Sequence, residues 1–215
     1  MPKQDVQGLY DSRAKTYEIS MMLAGYHRLL HFSMRRLEKT TDFPPQPRVL
    51  DIGCGTGMST RICRAYIPDA EFVGMDASAN MLAKYVETNP TAFIGDFNNP
   101  ETISPFEEGN AEKPLHDYRP FSLAIATASV TEYGGQEPIN LTYDLLEENG
   151  KMLIIGMRDN LLAQSSGYFW EYKPSGLEKT MERCEEAGFS KLEEISIGLW
   201  FPLLRKHKFV LLAEK

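Results

Sequence analysis

Residues 49–57 read Val-Leu-Asp-Ile-Gly-Cys-Gly-Thr-Gly, and this stretch decides the fold. Its first four residues form a short apolar run typical of a buried strand. The three alternating glycines allow a sharp turn and leave the backbone open to a ligand. Nineteen residues after the last glycine, Asp76 ends a second apolar run that starts at Phe72. In an open parallel sheet, this pattern puts a carboxylate beside the glycine turn, where a ribose diol could bind.

The glycine spacing separates two families of nucleotide-binding proteins. Dinucleotide enzymes favour G-x-G-x-x-G, whose third glycine lets helix and strand pack closely. Counted from Gly53, that third position is Met58, so the dinucleotide pattern fails. The spacing is instead G-x-G-x-G with Asp51 two residues ahead, which resembles the first motif of class I S-adenosylmethionine (SAM)-dependent methyltransferases. Further segments resemble the same family, and the resemblance spans almost the whole chain.

The rest of the chain alternates between strand and helix patterns. Such alternation indicates a parallel sheet with right-handed crossovers. About eight residues join the last two strands, too few for a crossover helix, so we expect these two strands to pair antiparallel. The prediction is an α/β, Rossmann-like, doubly wound sheet of seven strands with the last one antiparallel, as the methyltransferase family has. Predicted strands cover 47–52, 71–75, 91–95, 121–127, 151–156, 190–198 and 207–214, and predicted helices lie near 57–66, 78–87, 137–148 and 175–187.

The N-terminal segment has a different pattern. Apolar residues at three- and four-residue steps predict a helix over 5–39. We expect residues 1–45 to form a helical cap or lid and 46–215 to form the SAM-binding core of a single methyltransferase domain. Residues 10–18 resemble the Tyr-Asp-x-x-Ala-x-x-Tyr-Asp segment of ubiquinone- and phospholipid-type methyltransferases, with Glu in place of the last Asp. This resemblance implies that Tyr17 contacts the cofactor; a packing role for this tyrosine is the alternative.

The methyltransferase resemblance implies cofactor contacts at the ends of the first two strands. Gly53, Gly55 and Gly57 would wrap the methionine part of SAM. Asp51 would order the turn and lie near the amino end of the ligand. Asp76 would accept hydrogen bonds from the ribose hydroxyls, which charge-assisted bonding favours. A plain tight turn and a helix N-cap are the alternative roles for these residues.

Further cofactor contacts are implied along the same edge of the sheet. Asp96 would lie near the adenine amino group, with Phe97 and Met81 against the ring. Ala77 follows the ribose-binding carboxylate, and Thr127 ends the fourth long strand facing the sulfonium. A strand-end turn and ordinary core packing remain alternatives at these positions.

The acceptor side carries weaker signals. His27, Glu132 and Tyr133 are the candidate general bases, which a hydroxyl or carbon acceptor would need and a thiolate or neutral amine would not. His27 and His31 lie one helical turn apart, but two ligands do not make a metal site, so we predict none. The aromatic connection over 157–173 could wall a substrate pocket or pack beneath the C-terminal hairpin.

Composition limits the other classes of function. The chain has 215 residues, of which 42% are hydrophobic, as a single globular domain would. A formal net charge of −7 argues against a broad nucleic-acid interface. The one basic cluster, residues 205–208, is expected to be a solvated hairpin loop, with a phosphate contact as the alternative. Because we find no transmembrane run, signal peptide or disulfide framework, we expect a cytoplasmic protein.

We therefore predict a SAM-dependent methyltransferase that modifies a small-molecule or lipid-like acceptor and releases S-adenosylhomocysteine (SAH). The alternative is a methyltransferase-like protein that binds SAM or SAH but serves as a partner subunit or a non-methylating cyclase. A dinucleotide-dependent oxidoreductase is disfavoured by the missing third glycine and by the C-terminal hairpin. The acceptor atom, the substrate and the oligomeric state stay open at this point.

Overall fold

The computed structural model describes residues 17–160, 164, 174–198 and 202–215. Three predicted features therefore lie outside the described residues: the segment before Tyr17, most of the 157–173 connection, and the aromatic residues at 200 and 201. Within the described ranges, no helix is long and apolar enough to cross a membrane.

One sheet of eight strands lies at the centre of the described structure. Its order is β4-β3-β2-β1-β5-β6-β8-β7. Strands β3, β2, β1, β5 and β6 run parallel to one another. Strand β8 is antiparallel to both β6 and β7. The strands are β1 (Arg48–Ile52), β2 (Glu71–Asp76), β3 (Ala92–Ile94), β4 (Ser104–Pro105), β5 (Phe121–Thr127), β6 (Leu146–Met157), β7 (Lys191–Glu194) and β8 (Lys208–Glu214).

This sheet confirms the predicted Rossmann-like fold with an antiparallel last strand, and it differs in three details. The two-residue strand β4 is an addition that pairs antiparallel with the edge of β3. Strand β7 is shorter than the predicted 190–198, although Ile195 N–H still donates to Val210 O at 2.8 Å beyond its end. The link before β8 contains a six-residue helix, Pro202–His207. Its rise of about 9 Å is too short to carry the chain across the sheet, so the hairpin pairing is kept.

Seven helices flank the sheet in the described residues: α1 (Tyr17–Leu23), α2 (Tyr26–Thr40), α3 (Met58–Arg64), α4 (Ala79–Tyr85), α5 (Glu137–Leu145), α6 (Gly176–Ala187) and α7 (Pro202–His207). The single helix predicted over 5–39 is wrong as one element, because Gly25 has φ 82° and separates α1 from α2. A Cβ at Gly25 would lie 2.4 Å from Leu204 Cδ2, so a side chain here would also displace the Leu204 side chain on α7.

Alternate residues of each central strand pack into two separate cores. Val49 faces the core beneath α1, α2 and α3, while its neighbours Leu50 and Ile52 face the core on the other side. This is the period of two that a sheet covered on both faces requires. Helix α2 contributes four fully buried side chains to its core: Leu29, Leu30, Met34 and Leu37. Part of the predicted cap is thus a layer of the core, and a boundary at residue 45 stays a prediction.

Candidate cofactor and acceptor site

The glycine turn has the backbone geometry that its sequence predicts. Gly53, Gly55 and Gly57 have φ values of 67°, 53° and 86°, which L residues rarely adopt. The N–H of Gly53 donates to Met75 O at 2.8 Å, which ties the end of β1 to the end of β2. A Cβ at Gly53 would lie only 2.5 Å from Ser129 Cβ. Both backbone conformation and the close segment after β5 therefore exclude a side chain here.

Asp76 lies beside this turn, as predicted. Its Oδ2 accepts a hydrogen bond from Gly55 N–H at 2.8 Å, and its Oδ1 accepts one from Ser78 N–H at 2.9 Å. Ala77 is half-buried between them, and Ser78 caps α4 by accepting from Met81 N–H at 3.2 Å. These two bonds fix the carboxylate of Asp76 at the edge of the glycine turn, where a ribose diol could bind.

Asp51 is buried beneath the turn with one oxygen unsatisfied. Thr60 Oγ1 donates to its Oδ2 at 2.8 Å, whereas its Oδ1 has no partner among the described residues. Burial raises the pKa of Asp51 to about 7, against the lowering effect of the Thr60 bonds. A buried carboxylate oxygen without a donor suits a cationic ligand group, which would ionise the carboxyl and satisfy it.

Helix α1 covers the glycine turn. The Tyr17 ring lies 3.2 Å from where a Cβ of Gly55 would be. Burial raises the pKa of Tyr17 far above its usual value, and the nearby groups Asp76, Tyr133, Glu132 and Asp51 raise it further. Three carboxyl groups, on β1, at the end of β2 and after β5, therefore act on one buried tyrosine, and their combined field favours a cation.

An ion pair holds α1 in this position. Glu18 Oε1 accepts hydrogen bonds from Thr56 Oγ1 and from Arg61 Nη2, both at 2.5 Å. Partial burial raises the pKa of Glu18, but the bonds from Thr56 and Arg61 outweigh it and lower the pKa overall. The same segment that carries the predicted cofactor tyrosine is thus attached to the glycine turn and to α3.

The residues predicted to contact adenine separate in the structure. Phe97 is buried, with Cε1 3.8 Å from where a Gly53 Cβ would be. Asp96 is exposed after β3, where its Oδ1 accepts from the backbone and side chain of Asn98 at 2.9 and 3.1 Å. Met81 packs in the core with α1, α2 and α3, while Phe97 belongs to the core on the opposite face. The structure brings Phe97 to the turn and places Met81 within the core.

The end of β5 closes the site beside β1. Thr127 is buried, and its Oγ1 has no partner among the described residues. Ala128 has φ 52°, and Ser129 Oγ donates to Ile52 O at 2.7 Å. This tight connection directs the following residues, including Glu132 and half-buried Tyr133, toward Tyr17.

His27 lies elsewhere. Its ring contacts His31 at 4.6 Å between centroids, and His31 Nδ1 lies 3.0 Å from Tyr66 Oη. Tyr66 follows the C-terminal end of α3, whereas the glycine turn precedes the N-terminal end. Burial, followed by the neighbouring His27, lowers the pKa of His31. In the part of the chain that the structure describes, no group of three or more His, Cys, Asp or Glu residues could hold a metal ion.

Two residues that the sequence did not indicate surround Glu132. Tyr26 Oη donates to Glu132 Oε1 at 3.2 Å. Lys208 Nζ lies 3.4 Å from the centre of the Tyr26 ring. The expectation of a solvated loop over 205–208 is therefore wrong for Lys208, which is 4% exposed. The available signal was its position directly before the apolar run Phe-Val-Leu-Leu of the last predicted strand. Because that strand was expected to pair antiparallel, its first residue lies at the edge of the sheet where the parallel strands end.

Comparison with known proteins finds methyltransferases. A model of a methyltransferase domain family matches residues 50–151. A trans-aconitate 2-methyltransferase of Yersinia pestis is 29% identical over 166 residues, which cover 74% of this chain and 56% of that protein. A demethylmenaquinone methyltransferase of Symbiobacterium thermophilum is 35% identical over 83 residues, covering 37% of this chain and 32% of that protein. The chain thus spans about half the length of the trans-aconitate relatives.

A solved structure extends the match to nearly the whole chain. A putative O-methyltransferase from Nostoc punctiforme superposes with a TM-score of 0.68 at 16% identity, covering 96% of this chain and 60% of that one. At that identity the likeness concerns the fold. It shows an α/β, Rossmann-like fold of the methyltransferase type. These matches support a class I SAM-dependent methyltransferase family for this chain.

Proposed function

We propose that this protein transfers the methyl group of SAM to a small-molecule or lipid-like acceptor. The observation that carries the proposal is the pair of carboxylates at the glycine turn, Asp76 beside it and Asp51 beneath it. A carboxylate held beside the glycine turn at the end of β2 fits a ribose diol. The unsatisfied Asp51 Oδ1 fits the ammonium of a methionine moiety. No dinucleotide has that ammonium.

The remaining predicted contacts follow from this placement. Gly53, Gly55 and Gly57 would contact the methionine part, Phe97 would lie against adenine, and Thr127 and Tyr17 would line the region of the sulfonium. Asp96, Ala77 and Met81 stay in the proposed set with weaker support, since Asp96 is exposed and Met81 is in the core. When bound, SAM would supply an electrophilic methyl group and leave as the thioether SAH.

A small acceptor suits the way the site is covered. Tyr17 packs on the turn, and the Glu18–Arg61 pair attaches α1 above it. An acceptor must fit beneath this cover, which favours a compact molecule. The cover would also exclude water from the reacting groups. Glu132 and Tyr133 face this space, so they remain the candidate bases, and the position of His27 against His31 argues against it.

Isothermal titration calorimetry of the full chain with SAH, SAM and NAD⁺ tests cofactor choice. We expect SAH and SAM to bind with micromolar Kd and NAD⁺ to bind at least a hundredfold more weakly. Tight NAD⁺ binding without SAH binding would contradict the proposal.

Release of SAH in the presence of candidate acceptors tests methyl transfer. A suitable panel contains catechol, ethanolamine, thiophenol and trans-aconitate, with each product confirmed by mass spectrometry. Stoichiometric methylated product supports the proposal. SAH binding without product from a broad panel favours the alternative, in which a methyltransferase-like protein is a partner subunit or a non-methylating cyclase.

A further inference from the structure

Glu132, Lys208 and Tyr26 meet at the carboxyl end of the parallel strands. Glu132 follows β5, Lys208 begins β8 opposite the last residue of β6, and Tyr26 begins α2. They are 6%, 4% and 4% exposed. Three ends of separate elements thus bring an acid, a base and a phenol together in one buried cluster, which we call the Glu132 cluster.

The Glu132 carboxylate is held on several sides. Its Oε1 accepts from Tyr26 Oη at 3.2 Å, and its Oε2 accepts from Thr131 Oγ1. The backbone N–H of Met157 also donates to this carboxylate. A carboxylate has about four acceptor positions, so these described donors leave capacity for one more, such as the O–H of an acceptor molecule.

Lys208 supplies the opposing charge. Its ammonium lies over the face of the Tyr26 ring, 3.4 Å from the ring centre, in cation–π geometry. Burial lowers the pKa of Lys208 to about 8, while Glu132 acts to raise it. Burial raises the pKa of Glu132, and the Thr131 bond, the Lys208 charge and the Tyr26 bond act to lower it. Each charged group therefore stabilises the charged form of the other.

The Glu132 cluster adjoins the cofactor side through Tyr17. Glu132 is among the groups whose charge acts on Tyr17, and the Tyr17 ring packs on Gly55. Among the described residues, the titratable groups that act on Glu132 are Lys208 from β8 and Tyr26 from α2, and Glu132 in turn acts on Tyr17 from α1. The Glu132 carboxylate therefore lies on the side of the site that Tyr17 shares with the glycine turn.

We propose that Glu132 takes the proton of the acceptor and that the acceptor group is a neutral hydroxyl. Lys208 and Tyr26 are positioning residues, which keep Glu132 ionised and oriented. This inference rests on the proposed methyl transfer. The O–H bond of the acceptor breaks, its electron pair stays on oxygen, and the proton forms a new O–H bond on Glu132. The acceptor oxygen then bonds to the methyl carbon while the C–S electron pair stays on sulfur.

The charge around the site separates this acceptor class from a carboxylate. A carboxylate acceptor is already deprotonated and needs no base. It would also be repelled by Asp51, Asp76 and Glu132, which all act on Tyr17. The Yersinia pestis relative is named for a tricarboxylate, so the Glu132 cluster predicts a different acceptor class for this chain.

Titration of the Glu132 carboxyl carbon by NMR tests the pairing without any cofactor or acceptor. The signal is assigned by its absence in Glu132→Gln. We expect a midpoint above 4.5 in the wild type and a further rise of about one to three pH units in Lys208→Met. Lys206→Met, an exposed lysine two residues away, should leave the midpoint unchanged. An unmoved midpoint in Lys208→Met overturns the positioning role. If Lys208→Met does not fold, the titration midpoint of Lys208 is measured in Glu132→Gln instead. A midpoint that stays near 8 there also overturns the positioning role.

Turnover of the acceptor panel tests the proton transfer itself. Glu132→Gln should lower kcat for catechol by about a hundredfold or more, with SAH affinity within twofold of the wild type. Thiophenol, ionised at pH 8.5, needs no base, so its slower methylation beside these carboxylates should fall far less than that of catechol in Glu132→Gln. The exposed control Glu137→Gln should match the wild type. Full catechol turnover in Glu132→Gln overturns the proposal. A wild-type protein that methylates trans-aconitate and no hydroxyl acceptor also overturns it. Absent SAH binding instead rejects the proposed function, and the NMR titration still decides the pairing.

Discussion

The cofactor side of the site and its acceptor side are built in different ways. On the cofactor side, β1, the glycine turn and Asp76 follow one another within residues 48–76. On the acceptor side, Tyr26 and Glu132 are 106 residues apart, and Lys208 comes later still. A turn determined by local backbone angles can be recognised from its residues. A cluster assembled by three packing elements cannot, because no single segment contains its pattern.

The largest effect should come from breaking the acceptor side. Lys208→Met leaves a buried carboxylate without its counter-charge, so we expect a loss of about 3–5 kcal/mol of unfolding free energy at pH 7. Urea denaturation measures it. The exposed control Lys206→Met should change stability by less than about 0.5 kcal/mol. A double variant with Glu132→Gln should recover part of the loss, and equal losses in the two single lysine variants would contradict the buried pairing.

The next effect concerns the cofactor side and depends on pH. Asp51 has its pKa raised from 3.8 to about 7 in the folded protein, so its contribution to stability is full below pH 3.8 and is lost as pH rises through 7. At about 1.36 kcal/mol per pH unit, Asp51→Asn should stabilise the ligand-free protein at pH 8 by an amount on the order of 4 kcal/mol relative to pH 4. Urea denaturation across that range measures it, with exposed Asp69→Asn as the control. Parallel pH profiles of the wild type and Asp51→Asn would show that Asp51 is not a buried acid.

A smaller effect is expected for the ribose contact. Asp76→Ala removes the proposed bonds to the ribose and the bond from Gly55 N–H, so SAH affinity should fall by roughly ten- to a hundredfold, or about 1.4–2.7 kcal/mol. Calorimetry measures the Kd, with exposed Asp69→Ala as the matched control. Unchanged SAH affinity in Asp76→Ala would rule out its role while leaving the Glu132 cluster intact.

The smallest effect should come from the attachment of α1, which joins the two sides. The side chains of Arg61 and Glu18 are 39% and 41% exposed, and such pairs contribute at most about 1 kcal/mol. Arg61→Met should therefore weaken SAH binding by no more than about fivefold and speed hydrogen exchange over 17–23, while exposed Arg28→Met should do neither. Exchange over this helix should also slow when SAH binds. Identical exchange with and without SAH would show that α1 is a structural layer and not a lid.

Several features could be predicted because they depend on neighbouring residues. Each of the seven predicted strands has an observed counterpart, since apolar runs bounded by turn residues specify strands locally. The helix predicted near 175–187 ends before Gly188, whose φ of 105° is a left-handed conformation that glycine adopts readily. The helix predicted near 78–87 begins after Ser78, whose side chain accepts the N–H of Met81. The carboxylate at the end of β2 is beside the glycine turn because adjacent parallel strands end at the same edge.

By itself, the sequence determined the sheet, its glycine turn and the carboxylates beside it, because backbone angles and side-chain periods act over a few residues. Only the tertiary structure showed the break at Gly25, where φ is 82° and the Leu204 side chain packs close. It also separated Met81 from Phe97 onto different faces and buried Lys208 over Tyr26. These outcomes depend on which elements pack together, and burial then sets the pKa of Glu132 and of Lys208. The acceptor side of this protein is therefore a product of long-range packing, and its cofactor side is a product of local sequence.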